Sequence, residues 1–277
     1  MSCQIQYKIQ LIFMSVFMRH IAKASRLIVW SVSLLPGLCE AADNLSVGVP
    51  GECDQIVDRE GYAVGYCAKH RQAAWVQYHF TAVENQTRKA SRSEDFREDP
   101  AIKSGAAALA DYWGSGYSFG HLAPAADMKF SELTMSESFY LSNMSPQDYD
   151  FNSGVWNDIE KFVRYTVNIE QSIYVVTGPI LPTERHPYVA KTIGPGKVTV
   201  PRAFYKIIYD ATPPKKMIAF IVPNKPSSAP IASFVTSVDK VEELTGLDFF
   251  SKVSGADVLE RTSDTEKWRK LSSWQRN

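Results

Sequence analysis

DYWGSGYSFGHLAPAADMKFSELTMSESFYLSNMSPQDYDFNSGVWNDIEKFVR, residues 111–164, holds most of the information in this chain. Gly114, Gly116 and Gly120 make a permissive turn in front of His121, and Pro124 stiffens the chain behind it. A histidine on such a loop can be aimed at a cleft, and its ordinary pKa, about 6.5, suits it to accept a proton at neutral pH. Taken alone, such a histidine is more often a surface or packing residue. Further along, Val155, Ile159, Phe162 and Val163 recur at helical spacing, so a helix begins near Asn152. Asn152 reads first as the N-cap of that helix. Its amide oxygen is also a hard ligand of the kind magnesium takes, because magnesium keeps most of its waters and needs few protein ligands. Glu160 follows roughly 80° round the helix from Asn152, at about 100° per residue, so both can border one groove. Arg164 lies one turn further on the same flank. By spacing alone, Glu160 and Arg164 form an i,i+4 surface pair.

On the N-terminal side, QIVDREGYAVGYC (55–67) alternates about Glu60-Gly61 and predicts a hairpin. AAWVQYHF (73–80) predicts the next strand. Residues 85–105 are polar, with Arg88, Lys89, Arg92 and Arg97, and predict a long surface loop that is either a solvated face or a phosphate contact. On the C-terminal side, SIYVVTGPIL (172–181), FYKIIYD (204–210) and MIAFIVP (217–223) are short apolar runs closed by Gly, Pro or Asp, and predict buried strands. SVDKVEELTG (237–246) predicts a helix stopped by Gly246. From Ser254 the tail is polar and is expected to fray, with Trp268 and Trp274 as the residues able to dock. No repeat and no linker divides the chain, so residues 42–277 are expected to form a single domain with a polar C-terminal tail.

The whole chain carries 30 basic and 30 acidic side chains. With the four basic and one acidic residues of 1–41 set aside, 26 basic and 29 acidic remain. A chain with no basic excess must concentrate positive charge locally if it is to meet a polyanion. Residues 1–41 place Arg19, His20, Lys23 and Arg26 ahead of an apolar run, Leu27 to Leu38, and end in Cys39-Glu40-Ala41. That layout predicts a cleaved signal peptide, with translation starting at Met1 or at Met18, and an exported protein, periplasmic or secreted. An apolar run of this length is short for a span, which needs roughly 17–25 residues, so no stable membrane association is expected after cleavage. Cys53 and Cys67 are equidistant from residue 60. In an oxidising compartment they are expected to close a disulfide, against the alternative of two thiols.

Read as a whole, residues 111–164 resemble the DNA/RNA non-specific endonuclease family, the endonuclease G type. The likeness rests on SFGH (118–121), HLAPAAD (121–127), LSNMSPQ (141–147), Asn152, Trp156 and the pair Ile159-Glu160. It extends from about Gly48 to LTGLDFF (244–250). The resemblance implies an α+β fold of the ββα-metal type, with a central antiparallel sheet, flanking helices and a long catalytic helix. It also implies a sugar-non-specific endonuclease that leaves 5′-phosphate ends. His121 is then the general base, and Asn152 is the one direct protein ligand of a hydrated magnesium ion, with manganese as a substitute. Glu160 holds the ion's waters, Asn143 braces the site and Arg164 meets the phosphate. The partners are DNA and RNA, contacted through the backbone, and a homodimer is compatible with the family. The match breaks at three positions. Ser118 and Phe119 stand where the family has Asp and Arg, and Trp113 stands where related sequences have Arg. Each lost phosphate contact would cost roughly 1.5–3 kcal/mol. Trp113 and Phe119 could instead stack on single-stranded bases, or merely pack in the loop. An active endonuclease is the leading reading. A degenerate relative that binds nucleic acid or a protein without cleaving, and a phosphodiesterase with other exported substrates, are the alternatives.

Overall fold

The structure, a computed structural model, describes residues 43–274. The leader assigned to residues 1–41 lies outside the described residues. The hairpin forms as β1 (Gln55–Asp58) and β2 (Ala63–Cys67), and the next strand is β3 (Gln72–Thr81). A short helix, α1 (Ala82–Gln86), comes next under a capping box made by Thr81 and Glu84. After the polar loop come two short strands, β4 (Ser118–His121) and β5 (Met144–Gln147), paired antiparallel as a separate ribbon. The long helix α2 (Asn157–Glu170) then leads into β6 (Ser172–Ile180). A second small ribbon is made by β7 (Thr192–Ile193) and β8 (Val198–Thr199). β9 (Ala203–Asp210), β10 (Lys216–Pro223) and the short β11 (Val235–Thr236) complete the main sheet, with α3 (Val238–Thr245) and α4 (Ala256–Glu260) after it. The main sheet has seven strands in the order β1-β2-β3-β6-β9-β10-β11, and each neighbouring pair is antiparallel.

Both faces of this sheet are covered, which is why its central strands read as unbroken apolar runs. Ile173, Val175, Phe204, Ile208, Ile218 and Phe220 face α2 with Ile159, Phe162 and Val163. Their alternates, Tyr174, Val176, Tyr205, Ile207, Tyr209, Met217 and Ala219, meet Val238 and Val241 of α3 together with Phe249 and Phe250. Ser237 caps α3 through the Lys240 N–H, and Gly246 ends it in the left-handed conformation at φ 74°. Among the described residues no helix is long and apolar enough to cross a membrane.

Three expectations need correction. As far as Trp274 the tail does not fray: Trp268 and Leu271 are buried in the α2-side core, and Trp274 packs against Phe162 and Tyr165. The apolar residues are too sparse there to form a pattern, yet each finds a site on the core. Asn152 is not an N-cap. Its backbone is already helical, and the cap is Asp148, whose Oδ1 accepts the Phe151 N–H at 3.0 Å. The helix therefore starts a turn earlier than the apolar spacing implied. Cys53 and Cys67 are free thiols. The hairpin register pairs Gln55 with Tyr66 and Asp58 with Ala63. It is centred between residues 60 and 61, so the continuation opposite Cys67 is Asp54, not Cys53. Cys53 turns instead into the apolar cluster around Trp75, where burial pushes its thiol up to about 12.

Candidate active site

His121 ends β4, and its place is fixed from three sides. Gly120 lets the ribbon close, because a Cβ there would collide with the side chain of Gln147 on β5. The chain beyond is clamped by Asn143, which is fully buried. The Asn143 Nδ2 donates to the carbonyls of Ala123 (2.9 Å) and Ser138 (2.8 Å), and its Oδ1 accepts the Ala123 N–H at 2.9 Å. The imidazole itself sits edge-on to Phe139 and Phe96, with ring centroids 5.0 and 5.8 Å away. Burial, with the Arg92 charge adding to it, pulls its pKa down to about 3. The ring is therefore neutral, and its Nε2 has no hydrogen-bond partner among the described residues.

His121 borders a cavity of about 280 Å³. Asn152, Asn157, Glu160 and Arg164 line it from the helical side, and Arg92 and Phe119 from the other. Between Asp148 and α2 the chain passes through a π-type turn, Asn152–Trp156, with Gly154 at φ −99°, ψ −113°. An extra residue in a turn rotates the helix downstream of it, so the ideal-helix angle between Asn152 and Glu160 does not apply. They still reach one cavity. Asn152 Nδ2 donates to Ser118 Oγ at 3.2 Å, and that hydroxyl donates to the Gln147 carbonyl at 3.0 Å. The amide is thereby oriented, and its Oδ1 takes no hydrogen bond from the described residues.

Glu160 and Arg164 do not form the surface pair that their spacing implied. Arg164 Nη1 binds Asp127 Oδ1 at 2.9 Å, and the other Asp127 oxygen accepts the Tyr78 hydroxyl at 2.8 Å. Glu160 is half-buried, and burial pushes its carboxyl up to about 7 against the pull of Lys206 and Arg164. Lys206 is fully buried on β9, donates to Thr177 Oγ1 at 2.6 Å and lies 4.9 Å from the Trp156 ring. Burial lowers it to about 8, although Glu160 and Asp127 favour its charge.

The structure brings His121, Asn152, Glu160, Arg164 and Phe119 to one cavity, with Ser118 just behind Asn152. Asn143 lies behind the His121 loop and outside the cavity. Phe119 is sandwiched between Phe96 (4.7 Å) and Tyr112 (4.3 Å), both stacked on it. With both ring faces covered it offers no platform for a base, and of the three readings the packing one fits. Trp113 is exposed after a short helix, Leu109–Tyr112, and does not line the cavity. Arg92, Asn157, Asp127 and Lys206 were missed. A signal existed for two of them: Arg92 belonged to the basic loop, and Lys206 is the lone charge inside the apolar run FYKII. Arg92, Arg164 and Lys206 against Asp127 and Glu160 give the cleft the positive bias that the whole chain lacks.

A two-stranded ribbon bearing a histidine, with a helix after it that turns an amide and a carboxylate toward it, is the ββα-metal nuclease arrangement. Residues 40–256 match the model of the DNA/RNA non-specific endonuclease family, and the chain belongs to that family. It is similar to Nuclease C1 of Cunninghamella echinulata var. echinulata, 37% identical over 76% of this chain and 88% of that one. It is also similar to the mitochondrial endonuclease G of Homo sapiens, 34% identical over 74% of this chain and 72% of that one. The solved EndoG/EndoGI complex, a structure addressing EndoG inhibition, superposes with a TM-score of 0.69 at 32% identity, covering 76% of this chain and 91% of that one. The chain is thus a nuclease, a hydrolase of phosphodiester bonds in nucleic acid. The expectation of export is overturned. Human endonuclease G carries the word mitochondrial in its name, as do further relatives from mouse, human and yeast. A basic, acid-poor leader is common to secretory and mitochondrial segments, so its composition does not separate the two.

Proposed function

We propose that this nuclease cleaves DNA and RNA without regard to the sugar, using His121 as general base and leaving 5′-phosphate ends. The observation that carries the reading is a neutral, buried imidazole with a free Nε2 on the same cavity as the oriented Asn152 amide and the Glu160 carboxyl. A neutral ring nitrogen can take a proton from water as the water oxygen attacks phosphorus. The bond from phosphorus to the 3′-oxygen breaks, the 3′-oxygen takes a proton from solvent, and the phosphate stays on the 5′ side. Arg164 and Arg92 face the phosphate and hold it in line. Asp127 keeps Arg164 extended toward the cavity, and Asn143 and Ser118 position His121 and Asn152 respectively.

The residues fit a magnesium ion. Asn152 Oδ1 is a hard oxygen with no hydrogen bond from the described residues, and Glu160 is a carboxyl that closes no hydrogen bond or direct ion pair with a described residue. These two would hold one ion that keeps most of its waters, with manganese as a substitute. When bound, the ion offsets the negative charge that builds on the phosphate and on the leaving oxygen. Residues 42–277 act together as one nuclease domain, since the ribbon and α2 share the cavity and α2 and the main sheet share the core. Nicking of supercoiled plasmid in magnesium, abolished by EDTA, tests the activity. Ligase-competent 5′-phosphate ends test the polarity. A chain that binds DNA but leaves the plasmid supercoiled would rule the proposal out.

A further inference from the structure

We propose that Asp239, Glu242 and Glu260 form a second divalent-cation site, of calcium type, that fastens α3 to α4 on the sheet face opposite α2. One carboxylate oxygen from each of the three lies within 4.8 Å of the other two. Oxygens bound to one calcium ion at about 2.3–2.6 Å can be no further apart than about twice that distance, so a single ion can touch all three. The independent sign is Glu260. It is 5% exposed, it is directed at the other two carboxylates, and its Oε1 is buried with no hydrogen-bond partner among the described residues. An unpartnered carboxylate oxygen in the interior is costly unless a proton or a cation meets it.

No described Lys, Arg or His does so. Lys240, on the same helix, is bound to Glu243 at 2.8 Å instead. Asp248 and Asp257 add further negative charge around the three carboxylates. Glu242 is held in place by the Phe249 N–H, which donates to its Oε1 at 2.8 Å and leaves the other oxygen free to bind. Exposure falls from Asp239 through Glu242 to Glu260, so an ion can enter from solvent and reach a closed end. Three carboxylates with no nitrogen or sulfur donor select a hard cation, and calcium accepts three carboxylates more readily than magnesium, which usually takes one or two and keeps its waters. The ion would tie α3 and α4 over Val238, Val241, Phe249, Phe250 and Ala256, the cap of the second core.

Calorimetric titration of the full chain with calcium chloride, up to roughly 10 mM, tests this, with Asn152→Ala present to weaken ion binding beside His121 so that the carboxylate cluster dominates the signal. One calcium per chain should bind, and the melting temperature should rise with calcium concentration. Glu260→Gln, which keeps the shape, should weaken binding at least tenfold and flatten the thermal response. Asp239→Asn, at an exposed position that folding tolerates, should weaken it as well. Absence of binding in the Asn152→Ala chain overturns the proposal, and so does undiminished binding in both carboxamide variants. If Glu260→Gln melts higher than its parent at pH 8 while calcium adds nothing to the parent, the cluster is relieved by a shared proton only, and the site is refuted.

Discussion

His121 combines two properties that its surroundings set together. The edges of Phe96 and Phe139 and the loss of water keep the ring neutral, and neutrality leaves Nε2 able to accept a proton. Replacing it by Phe, which suits the aromatic box, should lower plasmid cleavage by roughly 10²–10⁴. The same variant reports on linkage. The unfolded chain takes a proton on this residue below about 6.5, whereas the folded chain resists until about 3. Between those values the unfolded state binds more protons, so the parent loses stability as pH falls through about 6.5. Thermal melts in EDTA at pH 7.5 and 4.5 should show a smaller drop for His121→Phe than for the parent. An equal drop would mean that His121 is already charged in the fold. Phe119 makes a different kind of test. Its ring stacks on Phe96 and Tyr112, and each such contact is worth about 0.5–1.5 kcal/mol beyond area. Phe119→Arg should therefore destabilise by about 1–3 kcal/mol and leave the salt dependence of DNA binding unchanged. A slope steeper by about one unit would show instead that the side chain reaches phosphate.

At the level of elements, the lead-in to α2 separates capping from chemistry. Asp148 satisfies the first turn, and Asn152 sits a turn later with its amide directed by Ser118. The two residues should thus fail in opposite ways. Asp148→Ala should cost about 1 kcal/mol of stability with the metal requirement unchanged. Asn152→Ala removes no cap bond and should alter stability by less than about 0.5 kcal/mol, while raising the magnesium needed for half-maximal cleavage at least tenfold. Denaturant melts and magnesium titrations of both variants check this, and equal stability losses would restore the cap to Asn152.

Across the whole molecule, the C-terminal tail closes the core on the α2 side. Trp268 is 3% exposed and Leu271 1% exposed, both within the cluster that includes Phe162 and Phe220. Removal of a buried tryptophan side chain costs about 3–5 kcal/mol, so Trp268→Ala should lower the melting temperature clearly, and truncation after Glu260 should lower it further. A truncated chain that melts like the parent would return the tail to the frayed state that its polar composition suggests.

The sequence by itself determined the strands, because burial on both faces writes itself as apolar runs such as SIYVVTGPIL and FYKIIYD. It determined the family too, because SFGH, LSNMSPQ and the spacing of His121, Asn152 and Glu160 are local strings. What it could not carry were relations between distant residues. Whether Arg164 meets Glu160 or Asp127 depends on where the HLAPAAD loop lands. Whether Phe119 is open or sandwiched depends on Phe96, more than twenty residues away. Cys53 and Cys67 looked paired until the register moved the hairpin centre by half a residue. The positive bias of the cleft is likewise tertiary, since Arg92, Arg164 and Lys206 come from a loop, a helix and a strand that only packing brings together. Side-chain patterning is a local property of the chain, whereas pairing, register and local charge are fixed by three-dimensional closure.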